Sequence, residues 1–102
     1  MARLIVMYKV PKDAGAFDRY YRDTHIPIAK RIPGLRKYEV SEGPVATPAG
    51  PSPFHLIAIL HFDDIASIQR AFGSPEGQAA AGDVQNFATG GADMIMFDDR
   101  VV

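Results

Sequence analysis

The chain has 102 residues, 47% apolar and 23% charged, with a net charge of −1 and no cysteine. That is one domain, 1–102, with apolar content enough for a single core and too much for a disordered chain. The near-neutral charge excludes the electrostatic footprint of a nucleic-acid or anionic-membrane binder, and the missing cysteines exclude disulfides, thiolate nucleophiles and thiolate metal sites.

The first apolar run is too short for a signal segment or a membrane span, so a soluble, cytoplasmic protein is expected. Leu4 to Tyr8 (LIVMY) has the continuous apolar pattern of a strand buried on both faces. Asp13 is placed to cap a helix starting near Ala14, on which Phe17, Tyr21 and His25 recur at i,i+4 spacing. Tyr20 and Thr24 lie beside that stripe. Tyr20 and Tyr21 are about 100° apart on a helix, so they cannot both point inward. Pro27 disfavours helical geometry at Ile26 and predicts a break or kink there, with a short further turn ended by Pro33-Gly34.

Leu35 to Glu42 (LRKYEVSE) reads as an edge strand kept soluble by its charges. Gly43 to Pro53 holds four prolines and two glycines in eleven residues, which makes it a long loop. Phe54 to Phe62 (FHLIAILHF) is the second strongly apolar strand. Asp63-Asp64 then offer a cap for a short helix with Ile65, Ile68 and Phe72 on one face, and Ser74-Pro75 restarts a helix that carries Ala80, Val84 and Phe87. Gly90-Gly91 precede a last strand, Ala92 to Phe97.

The order β-α-β-β-α-β is that of the α+β ferredoxin-like fold, a four-stranded antiparallel sheet with the first and third strands central and the second at an edge. Both helical layers must lie on one face, yet the central strands are apolar on both. The uncovered face amounts to on the order of 400 Å², the limit for a soluble monomer. A homodimer in which a partner supplies a second sheet is therefore expected.

The opening LIVMY strand, FDRYYRDTHIPIAKRIPGL, FDDIASIQRAF and SPEGQAAAGDVQNFA together resemble the EthD family, named for ethyl tert-butyl ether degradation. The resemblance spans nearly the whole chain and is most specific in YY…H.P…PGL. It implies a dimeric α/β barrel with a small apolar or aromatic ligand in an apolar pocket, in a catabolic or secondary-metabolic setting. It also implies His25, with Tyr20 and Tyr21, as the polar set near that pocket. Related dimeric barrels include cofactor-free monooxygenases, lactone isomerases and polyketide cyclases, so the fold does not choose the reaction.

The candidate catalytic residues are His25 as acid or base and Tyr21. Tyr20, Phe17, Ile5, Met7, Met94 and Met96 are the candidate substrate contacts. His25 also has a structural reading, donation to the last carbonyls of its helix. His55 and His61 share strand parity, stand about 20 Å apart and read as strand-end residues near solvent, so no metal site with His25 is expected. There is no dinucleotide fingerprint, P-loop or nucleophile elbow, hence no expected cofactor. Three classes remain open: a cofactor-independent oxidoreductase, isomerase or cyclase; a non-catalytic binder or accessory protein for a partner oxygenase; and a structural dimer.

Overall fold

A computed structural model describes residues 1–102. Its strands are β1 (Ala2–Lys9), β2 (Lys37–Val40), the short pair β3 (Ala46–Thr47) and β4 (Gly50–Pro51), β5 (Phe54–Phe62) and β6 (Ala92–Asp98). The helices are α1 (Ala14–Tyr20), α2 (Ile26–Ala29), α3 (Ile65–Gly73) and α4 (Pro75–Asp83). The four long strands form an antiparallel sheet in the order β2-β5-β1-β6, with the two most apolar strands central and the charged β2 at an edge. This is the expected α+β ferredoxin-like architecture. The Pro-rich loop differs in one respect: it folds back on itself as the β3–β4 hairpin. No helix is long and apolar enough to cross a membrane.

The helix starts follow the capping chemistry. The Asp13 carboxylate accepts from the Ala16 amide at 3.0 Å and Asp64 from the Ser67 amide at 2.7 Å, each satisfying a first-turn donor without an intrahelical partner. Ser74 ends α3 through its amide on the Ala71 carbonyl and caps α4 by accepting from the Gly77 amide at 3.1 Å. The corner closes only because residue 77 is glycine: a Cβ there would lie 1.9 Å from the Ala71 oxygen.

Of the break or kink expected at Pro27, the break does not occur. Instead of breaking at Ile26, the helix widens into one π turn over Tyr21–His25 and then continues as α2, with Ile26 itself helical (φ −54°, ψ −47°). Pro27 has no amide to give to a carbonyl one turn back, and its ring crowds that carbonyl; the wider turn just upstream absorbs both effects.

Alternation sorts the sheet's two faces. Ala2, Leu4, Val6 and Tyr8 of β1, with Ala58, Leu60 and Phe62 of β5, are buried beneath the helices, where they meet Phe17, Tyr21, Ile32, Ile68 and Phe87. Tyr8, Phe62 and Ile68 are the largest fully buried side chains. The opposite face carries Ile5, Met7, Ile57, Ile59 and Ile95, all only half-covered or exposed in the single chain.

The histidine pair of β5 is arranged differently from the simple parity reading. The β1–β5 register slips between Tyr8 and Lys9, so His55 has no pairing partner. His55 instead lies against α1, with Nε2 2.7 Å from the Asp18 carboxylate and its ring edge-on to Phe17. His61 stays on the open face but is only 7% exposed, held between Arg3 and Glu39. A guanidinium only donates, so Nδ1 of His61 accepts from Arg3 and Nε2–H donates to Glu39. It is a buried member of a polar ladder, and the solvent-near reading is corrected.

Candidate acid–base site between helices and sheet

His25 is the last residue of the π turn and is 4% exposed. The wide turn brings three side chains of one segment to the same place. Tyr21 lies under His25 with ring centroids 5.2 Å apart, and the Tyr20 hydroxyl reaches the same carboxylate as the imidazole. Phe87, after α4, packs against both rings and against Tyr20.

That carboxylate is Asp83, at the end of α4 and 7% exposed. Its Oδ2 lies 2.9 Å from His25 Nδ1, and its Oδ1 accepts from the Tyr20 hydroxyl at 2.6 Å and the Asn86 amide at 3.0 Å. Burial by itself would raise the Asp83 carboxyl, but the hydrogen bonds from Tyr20, Asn86 and His25 outweigh it and hold the group below its ordinary range. For His25 the balance runs the other way: burial pushes the imidazole below its ordinary value, and the attraction of Asp83 restores only part of the loss. At neutral pH the pair is thus a carboxylate and a neutral imidazole. An ionised carboxylate only accepts, so Nδ1–H donates to Asp83. The lone pair is left on Nε2, which has no partner in the chain.

His25 lines a small cavity between helices and sheet, with about 30 Å³ of free volume. Its walls are apolar side chains and three phenols, Tyr8, Tyr21 and Tyr38. The cavity exists because alanines stand where larger residues would fill it: Ala29 on α2, Ala58 on β5, Ala80 and Ala81 on α4. The Tyr21 and Tyr38 hydroxyls hydrogen-bond each other. Burial, reinforced by the nearby Tyr38, raises the ionisation of Tyr8 and Tyr21 far above the ordinary phenol range, and burial raises that of Tyr38. All three therefore stay protonated, with one proton already held between Tyr21 and Tyr38. A neutral base facing protonated phenols in an apolar chamber can take a proton from a bound molecule and stabilise the charge left on its oxygen.

The residues singled out from sequence divide into three groups. Tyr21, His25 and Met94 line the cavity, and Met94 and Met96 line an apolar groove beside it. Phe17 and Tyr20 flank a separate depression on the other side of Phe87. Phe17 is core packing, stacked on Tyr21 and edge-on to Tyr8. Ile5 and Met7 are on the open face of the sheet, away from His25. Sequence reasoning missed Asp83, Tyr8 and Tyr38. A signal existed for Asp83, a carboxylate inside the apolar stripe of Ala80, Val84 and Phe87, and for Tyr8, which shares the parity of Leu4 and Val6.

Residues 10–91 match the EthD domain. The chain is 38% identical over its whole length to an uncharacterized 11.0 kDa protein of the thcB-thcC intergenic region of Rhodococcus erythropolis, 98% of which is covered. It superposes on an EthD family protein from Bacillus halodurans with a TM-score of 0.89 at 36% identity, covering 98% of this chain and 99% of that one. The fold also recurs at lower identity. A dimeric ferredoxin-like protein from Jannaschia gives a TM-score of 0.70 at 21%, covering 96% and 98% of the two chains. SnoaB, a cofactor-independent oxygenase from Streptomyces nogalater, gives 0.67 at 16%, covering 99% and 94%. With the domain match spanning most of the chain and two full-length relatives above one-third identity, this protein belongs to the EthD family.

Proposed function

We propose that this protein is a cofactor-independent acid–base enzyme acting on a small apolar or aromatic molecule, with His25 as the proton acceptor. The observation that carries the proposal is the buried His25–Asp83 pair, whose imidazole lines an apolar cavity that also has three phenols in its wall. Asp83 orients the imidazole and fixes the proton on Nδ1; it is a positioning residue. Nε2 takes a proton from a carbon next to a carbonyl, or from a phenol. Phenol hydroxyls of the cavity wall then donate to the oxygen that becomes negative, one proton of the Tyr21–Tyr38 pair being already committed between the two rings. Fixed donors in apolar surroundings are worth far more than the same donors in water. The resulting enolate or phenolate is the electron-rich species common to isomerisation, cyclisation and cofactor-free oxygenation. The fold shared with SnoaB is compatible with the last of these. A carrier delivering an apolar molecule to an oxygenase would use the same lining but would have no use for an ionised carboxylate beneath the histidine, which favours the enzyme.

The same reading takes the protein as a homodimer in which the Ile5, Met7, Ile57, Ile59 and Ile95 faces of two sheets meet. Support comes from that half-covered apolar face and from the exposed Ile95 and Phe97, which the β1–β6 register places on it.

The test is hydrogen–deuterium exchange at the α-carbon of a simple aryl ketone such as acetophenone in D2O, followed by proton NMR. Wild-type protein is expected to accelerate exchange saturably, and His25→Ala to lose about 10²–10⁴-fold of that acceleration. Equal exchange by both proteins, or by neither, would remove His25 as the base for enolisable ketones.

A further inference from the structure

The cavity under His25 is too small for a whole organic molecule: about 30 Å³ admits only the small reacting end of one. Next to it lies a groove of about 240 Å³ between α3, α4 and the edge strand β6. The two spaces share four wall residues, Leu4, Phe72, Ala81 and Met94, and are therefore neighbours across a single layer of side chains. Phe72 on α3 is partly buried, and Met94 on β6 is 47% exposed. A methionine with three rotatable bonds is the readiest of these walls to swing aside.

The groove's remaining walls are Ile68, Gln69, Ile95 and Met96. No cation, carboxylate or histidine lines it, so nothing there offsets the cost of desolvating a charged ligand. A carboxylate or phosphate ester would have no charged partner in the groove, whereas an uncharged hydrocarbon body would find apolar contacts throughout it.

We infer that the ligand binds across both compartments, with a single uncharged oxygen-bearing head beneath His25 and an apolar body of one or two rings, or a short alkyl chain, in the groove along β6. Phe72 and Met94 stand at the threshold between the compartments. Met96 and Gln69 bound the outer end, so they set how long the body can be. The inference builds on the acid–base reading of His25 for the identity of the head, but the groove's selectivity is a matter of binding alone.

The experiment is calorimetric titration with a 4-alkylphenol series, from 4-methylphenol to 4-hexylphenol, at neutral pH. Affinity is expected to rise by about fourfold for each added methylene until the groove is full. Met96→Trp and Gln69→Trp both alter exposed positions that line only the outer groove. Each is expected to flatten that rise, the longer members losing far more affinity than 4-methylphenol. A flat series with the wild type, a rise that survives in both tryptophan variants, or no binding by any member would overturn the inference. A rise with chain length in a protein that fails to exchange ketone protons would leave the two-compartment site standing and remove the acid–base reading. Exchange combined with a flat series would do the reverse.

Discussion

Replacing Asp83 by asparagine changes one atom and, on the geometry of this site, reverses the role of His25. Asp83 Oδ1 accepts from both Tyr20 and Asn86, so the amide oxygen of an asparagine must stay at that position to keep the two bonds. Its nitrogen then falls at the Oδ2 position, 2.9 Å from His25 Nδ1. Two donors cannot face each other there, so the imidazole must move its proton to Nε2 and accept at Nδ1. Nε2 becomes a donor, and the base is lost with no atom displaced. Hydrogen bonds to a charged group are worth about 1.5–3 kcal/mol against about 1 kcal/mol for neutral ones, and three are downgraded together. A net loss of roughly 2 kcal/mol, or on the order of 10 °C in Tm for a domain of this size, is expected. The fold should otherwise survive. Ketone exchange should fall by about 10²–10⁴-fold. Long-range proton–nitrogen correlation on 15N-labelled protein reads the tautomer without any substrate. A variant that still carries its proton on Nδ1, or that exchanges ketone protons as fast as the wild type, would refute the reasoning.

The remaining expectations concern stability and assembly. His25 is held below its ordinary value of 6.5, so as pH falls below 6.5 the unfolded chain binds a proton that the native imidazole resists, and stability declines. Thermal melts should therefore fall between pH 7 and pH 5, and His25→Gln should flatten that segment; a slope unchanged in the variant would assign it elsewhere. The contribution of Asp83, whose native carboxyl titrates below 3.8, is lost only at more acid pH, as its native value is passed. Two glycines of α4 should respond in opposite directions in denaturant titrations. Gly77→Ala drives a Cβ to 1.9 Å from a carbonyl oxygen and should cost about 3 kcal/mol, whereas Gly82→Ala meets open space and should stabilise by about 0.5–1 kcal/mol. Equal effects at the two positions would mean that the α3–α4 corner yields more easily than its geometry implies. Ile95→Glu, a charge placed on the open sheet face, should convert a sedimenting dimer to a monomer, and a variant that still sediments as a dimer would move the interface to another surface.

What was legible in the sequence was whatever depends on neighbours along the chain. The caps at Asp13, Asp64 and Ser74 are local hydrogen-bond chemistry, and the strand order follows from the charge of LRKYEVSE against the apolar runs LIVMY and FHLIAILHF. Whatever depends on packing between distant segments was not legible. Both faces of β1 alternate apolar with apolar, so no pattern could say that Leu4, Val6 and Tyr8 meet the helices while Ile5 and Met7 face away. A one-residue slip opposite Tyr8 separated His55 from His61, and a local parity count contains no such slip. At the site, i,i+4 spacing joined Tyr21 to His25 but had no means of adding a carboxylate 58 residues away. Yet the two halves constrain each other. A carboxylate amid Ala80, Val84 and Phe87 is costly to bury unless donors converge on it, and the π turn that accommodates Pro27 helps bring two of them, Tyr20 and His25, to the same atom pair. The proline that seemed only to end a helix thus belongs to the device that aims the histidine.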